Sequence, residues 1–188
     1  MAEKNLIKIY VDASSAKRVD IIIKHYTDFI GIVDGYTEGL RYMIESEKDS
    51  NSHRALGDLG VRVQTGGSTS DPTAKKAIRN VMTREALINC DFSGDVMEGV
   101  DRAEEFIRDA YLLRDMRKDY ELFNRQLSIL GTEKETFEKY LRREKTLIDI
   151  AEEQGITYES AQQKIHKIRL RVKKQVVGFM DGKMGGIA

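Results

Sequence analysis

Residues 146–169 read TLIDIAEEQGITYESAQQKIHKIR, and their spacing decides the fold. Leu147, Ile150 and Ala151 share one face of a short helix. Gly155 stands four residues after Ala151, where a left-handed backbone ends a helix without a Cβ penalty. Thr157 is placed to cap a second helix, because its hydroxyl can accept a backbone N–H left bare at the helix start. From there Ala161, Ile165, Ile168, Val172 and Val176 recur at helical spacing and predict a buried stripe. Ile156 is expected to pack the turn, and the small Ala151 allows two steeply crossed helices to approach. The stretch predicts a helix-turn-helix in an all-α chain.

The residues left outside the stripe are Tyr158, Glu159, Ser160, Gln162, Gln163, Lys164, His166, Lys167, Arg169 and Arg171. Glutamine can bond adenine at two points, and lysine or arginine can bond guanine. Ser160, Gln163, Lys164 and Lys167 lie early in the helix and are the base-edge candidates. Arg169, Arg171, Lys173 and Lys174 come later and suit phosphate. Arg142, Arg143 and Lys145 precede the first helix and are placed to touch flanking backbone. The competing reading of all these positions is an ordinary solvated helix surface. His166 reads as a surface or phosphate-near residue rather than a metal ligand.

Bulk composition is consistent with a DNA partner only locally. The chain has 188 residues and a formal net charge of zero, so global charge announces no nucleic acid. Between Tyr158 and Val177, however, stand six Lys/Arg residues and one acid, Glu159. A basic stripe can grip phosphates even on a neutral chain. Cys90 is the single cysteine, which excludes an internal disulfide. No apolar run approaches the ~20 residues that cross a bilayer. With no signal-peptide pattern, the expectation is a reduced, cytoplasmic protein with no membrane partner.

Upstream, apolar residues recur at helical spacing from about Ser14 to Glu47. Gly31, Gly35 and Gly39 interrupt this run at intervals of four. They suggest either close helix packing along a glycine face or a break; Asp34-Gly35, a strong turn pair, predicts the break. Leu6–Val11 carries β-type residues without an obvious partner and reads as an extended or edge element. Residues 49–71 are rich in Ser, Gly, Asn and Asp and read as a polar linker, mobile around Thr65–Ser70. Asp71-Pro72 then starts a helix, with Asp as cap and Pro at the first position. Its apolar stripe is Ala74, Ile78, Val81, Met82, Leu87 and Ile88. A turn zone at Asp91–Asp95 precedes what reads as the longest helix, with apolar residues from Val96 to Leu130. That stripe predicts either a bundle core or a dimerising seam. Gly131 ends it, and Thr132 and Glu135 read as a capping box, with a weaker one at Thr146 and Asp149. The expected division is an N-terminal helical region over 1–130 and a helix-turn-helix domain over 131–180. Lys183–Ala188 reads as frayed.

Residues 132–177, with IDIAEEQGIT followed by a helix ending HKIRLRVKK, resemble the C-terminal DNA-binding domain of bacterial sigma factors. That resemblance implies promoter reading through the second helix and contact with bacterial RNA polymerase. Ala161 departs from the sigma pattern, which more often has a larger β-branched residue there. The upstream part does not resemble the other promoter-reading segments of sigma factors. DLGVRVQTGGSTSDPTAKKAIRNV is similar to a Gly/Ser-rich stretch and helix in phage late-transcription regulators of the RinA/ArpU type. Together the two resemblances imply a phage or prophage transcription activator.

No catalytic constellation is visible, so the chain is not expected to be an enzyme or to need a cofactor. His25, His53 and His166 are far apart, and one cysteine gives no zinc-binding spacing. Gly66-Gly67-Ser68-Thr69 lacks the Gly-Lys-Ser/Thr ending of a phosphate loop. Glu104-Glu105 and Glu152-Glu153 are neighbours on helices, so each pair diverges. The expected partner is double-stranded DNA, bound by a sequence-specific transcription regulator. Two alternatives stand beside it: a small-terminase-like DNA-packaging protein, and a helical protein-interaction module without DNA binding. The N-terminal helices and the 96–130 helix are the candidate surfaces for homo-oligomer formation.

Overall fold

A computed structural model describes residues 6–55 and 72–182. Its fold is all-α, with no strand among the described residues. The helices are α1 (Leu6–Val11), α2 (Ser15–Lys24), α3 (Phe29–Ala55), α4 (Pro72–Asn89), α5 (Ala103–Gln126), α6 (Lys134–Leu141), α7 (Leu147–Gln154) and α8 (Tyr158–Met180). A 3₁₀ segment, Leu127–Glu133, joins α5 to α6.

Leu6–Val11 is helical, not extended. A lone extended segment would leave its backbone donors and acceptors unpaired, whereas a helix pairs them internally. Tyr10 fixes α1 in place. It is fully buried, its ring centroid lies 5.8 Å from that of Phe29, and its hydroxyl donates to Asp119 Oδ2 at 2.8 Å.

The break expected at Asp34-Gly35 is absent. The chain turns earlier, at residues 25–28, and α3 then runs unbroken through all three glycines. The glycines are exposed, and no atom lies within 4 Å of where their Cβ atoms would stand, so close packing along that face is absent too. Burial explains the outcome. Val33, Leu40 and Ile44 are almost fully buried on α3. Each such side chain contributes about 1.5–3 kcal/mol, against about 1 kcal/mol lost per glycine.

The predicted linker also starts too early, because α3 continues to Ala55. Asp49 pairs with Lys76 at 3.0 Å, and Asn51 Nδ2 donates to Gly99 O at 3.0 Å. The remaining linker positions, with Thr65–Ser70 and the Asp71 cap, lie outside the described residues, as does Lys183–Ala188.

The helix expected after Pro72 is present as α4, but most of its predicted core face is not buried. Ile78, Val81 and Met82 are at least half exposed, while Thr83, Ala86 and Leu87 are buried. Polar pairs between α3 and α4 accompany this rotation. An acidic stripe on α3 meets α4 in antiparallel order: Glu38 with Arg84 at 2.6 Å, Glu45 with Thr83 at 2.5 Å, and Asp49 with Lys76.

The helix predicted over 96–130 is shorter at both ends, and α3 is longer, at 27 residues against 24 for α5. Residues 96–102 form turns closed by Glu98 N donating to Asp95 O and Val100 N to Met97 O. Glu47 then stops the helix from extending backwards. Its Oε1 accepts the N–H groups of Asp101 and Arg102, capping α5 from another helix. At the other end Gly131 breaks the path with φ 53° and ψ −121°. The capping box expected at Thr132 and Glu135 does not form. Glu133 occupies the cap position without a side-chain bond, and Glu135 pairs forward with Lys139 at 2.6 Å.

The chain forms two units. One comprises the described residues up to Gly31 together with those from Arg117 onward; the other is Ile32–Met116. This differs from the expected division at 130/131, because α2 packs on α8. Val19, Ile21 and Ile22 of α2 are buried within the first unit. In the second, Val33, Leu40, Ile44, Leu87, Phe106 and Leu113 form the core.

Replacing Gly35 with alanine should stabilise the protein by about 0.5–1 kcal/mol, since the site is helical and open. Urea unfolding of Gly35→Ala would show it as a higher midpoint; a lower midpoint would mean that the glycine is needed there.

Candidate nucleic-acid interface

Local sequence builds the α7–α8 pair as its spacing implies. Thr146 and Asp149 close a full capping box: Asp149 N donates to Thr146 Oγ1 at 3.3 Å, and Thr146 N donates to Asp149 Oδ2 at 2.7 Å. The Thr146 N–H foremost, and then the Thr146 hydroxyl, which also donates to Oδ2 at 2.8 Å, hold the Asp149 carboxyl below its ordinary pKa. Gly155 ends α7 at φ 62°, ψ 35°. There Gly155 N donates to Glu152 O and Ile156 N to Ala151 O. Thr157 caps α8 by accepting Ser160 N at 3.2 Å. The five stripe residues of α8, Ala161, Ile165, Ile168, Val172 and Val176, are all buried, and so are Ile150 and Ala151.

The outward residues fall into two groups. Tyr158, Gln162, Gln163, His166, Lys167 and Lys174 are exposed and have no side-chain partner among the described residues. Gln163, Lys167, Leu170 and Lys174 step by four, three and four along the outermost line of α8. Leu170, half exposed in the middle of that line, was not among the expected outward residues.

The second group is already engaged. Arg169 Nη2 and Lys173 Nζ converge on Asp20 of α2, at 2.7 and 2.6 Å. Arg171 pairs with Glu133 at 3.0 Å. Lys164 Nζ donates to Gln154 Oε1 at 2.9 Å, and Ser160 Oγ bonds within the Thr157 cap. Of the expected phosphate cations on α8, only Lys174 therefore has no partner among the described residues. The reason is geometric: α2 covers the flank of α8 that carries Arg169 and Lys173, and Glu133 reaches the opposite flank. Before α7, Arg142 lies 3.9 Å from Glu144, Lys145 bonds Glu153, and Arg143 is exposed at φ 60°.

A cleft of about 970 Å³ opens between the end of α2, the α6–α7 turn and the first half of α8. Tyr158, Gln162 and His166 line one wall, and Lys24, Arg143 and Lys145 contribute to the rest. Asp20, held by Arg169 and Lys173, is the one acid lining it among the described residues. Lys24 and Asp20 were not identified as site residues from sequence. No local signal marks them, because they are placed by packing against a helix 149 residues further on.

Comparison with known proteins found no matching family model, no matching curated protein and no matching solved structure. Among the described residues no helix is long and apolar enough to cross a membrane. Nor do any three of their His, Cys, Asp or Glu side chains group to hold a metal.

Asp20 makes the α2–α8 contact sensitive to acid. Burial alone would raise its pKa, but the hydrogen bonds and charges of Lys173 and Arg169 outweigh burial and hold it below the ordinary 3.8. A depressed carboxylate stabilises the fold above its unfolded pKa, and that contribution is lost as pH falls through the folded value. Wild type should therefore exceed Asp20→Asn in thermal stability near neutral pH, with the gap closing below about pH 4. A pH-independent gap would show that the carboxylate charge contributes nothing.

Proposed function

We propose that the chain is a sequence-specific double-stranded DNA-binding transcription regulator, an activator of phage or prophage late genes acting with host RNA polymerase. One observation carries the DNA reading. α7, Gly155 and a capped α8 form a helix-turn-helix whose second helix keeps Gln163 and Lys167 exposed in its first half, with no side-chain partner among the described residues. A recognition helix reads base edges from its N-terminal half. A two-point contact to the right base discriminates by about 1–3 kcal/mol. Lys174, further along the same line, is placed to meet phosphate, and so contributes affinity without sequence preference. The late-gene and polymerase parts of the proposal rest on the resemblance of residues 132–177 to the sigma DNA-binding domain and of the DLGVRVQTGGSTSDPTAKKAIRNV segment to the RinA/ArpU-type regulators.

Genome-wide footprinting tests this directly. Wild type should protect discrete promoter-proximal sites, and the Gln163→Ala/Lys167→Ala variant should lose or redistribute them. Identical footprints would remove α8 as the reading face. Wild-type footprints confined to packaging sites would favour the terminase-like alternative. Lys174→Ala should instead weaken all sites alike and lower the salt slope by about one.

A further inference from the structure

Arg143 stands where glycine would be expected. Its φ is +60°, its N–H donates to Tyr140 O at 3.0 Å, and the Glu144 N–H donates to Lys139 O at 2.9 Å. α7 ends in the same two-bond pattern, but on Gly155. The left-handed region costs a residue bearing a Cβ about 1–2 kcal/mol, and such strain concentrates at functional sites. The exposed Arg143 side chain has no partner among the described residues. Lys24, the last residue of α2, is likewise exposed and unpaired, and it lines the same cleft. His25 follows it. Lys24 and Arg143, far apart in sequence, thus line one cleft with Tyr158 at the start of α8, and His25 stands near enough to feel the charge of both.

We propose that Lys24, His25 and Arg143 form an anion site for a DNA backbone phosphate, contributed in part by α2 from outside the helix-turn-helix. The inference rests on the DNA-binding reading above. An arginine fork matches phosphate oxygens at two points, and a lysine adds a compact charge. Without an anion these cations act on each other. Burial first, then the Lys24 charge and, less strongly, Arg143, lower the His25 pKa below 6.5, opposed by Asp28. A bound phosphate would offset that field and favour the imidazolium, so binding would take up a proton. His25 would then titrate higher in the complex than in the free protein. Affinity rises as pH falls through the bound-state value and levels off below the free-protein value; well above the bound-state value the gain is absent.

The test uses the full chain and a short mixed-sequence duplex, with affinity measured against salt. Lys24→Gln and Arg143→Gly should each bind several-fold more weakly at fixed salt and lower the salt slope by about one. Arg143→Gly should at the same time melt above wild type, because glycine relieves the left-handed turn. Weaker binding by a more stable protein cannot come from a damaged fold. Wild type should also gain affinity from about pH 8 to about pH 6, a gain His25→Gln should lack. Unchanged slopes in both cation variants, with wild type binding in a salt-dependent way, would overturn this site and leave the DNA reading standing. A full pH gain in His25→Gln would remove the histidine from the site. A wild type with no salt-dependent duplex affinity would overturn both proposals.

Discussion

The docking of α2 along α8 is the interaction on which the first unit depends. It buries Val19, Ile21 and Ile22 and places Asp20 between Arg169 and Lys173. A helix-turn-helix alone has two short hydrophobic faces and little core. Here the second helix runs from Tyr158 to Met180, longer than α7 could cover. α2 supplies the missing partner for its later half, so the buried stripe reaches Val176 without exposure.

The same contact redistributes charge. Read as a string, α8 is evenly basic. In the fold, Asp20 and Glu133 neutralise its two flanks, and the cations of α8 left without a partner among the described residues lie on the outermost line at Lys167 and Lys174. The pairs at Arg169 and Lys173 are half-buried, so breaking them would leave cations without partners. Part of the basic composition of α8 therefore serves the fold, and a smaller part is presented outward.

What was legible in the sequence was local. Gly155, the Thr146 and Thr157 caps and the buried stripe of α8 follow from spacing and backbone preference, and the structure has each of them. What was not legible depended on distant partners. Gly35 read as a turn because nothing nearby shows that Val33, Leu40 and Ile44 will be buried. Ile78 and Val81 read as core because nothing nearby shows that α4 meets the acidic stripe of α3 with another face, through Lys76, Thr83 and Arg84. The start of α5 is set by Glu47, more than fifty residues earlier. In the candidate interface, the cations of α8 were visible as residues, but not which of them an acid elsewhere would occupy.

Because α2 closes on α8, the unit is assembled from stretches made at very different times. Asp20 and Lys173 are separated by 153 positions. At a synthesis rate of about 5–20 residues per second, α2 emerges roughly 8–30 s before its partner exists. During that interval Val19, Ile21 and Ile22 have no α8 to cover them, and the closure, when it comes, is between segments far apart along the chain. The helix pair proposed to read DNA therefore meets its α2 cover across a separation of 153 positions, and only once α8 has itself been made.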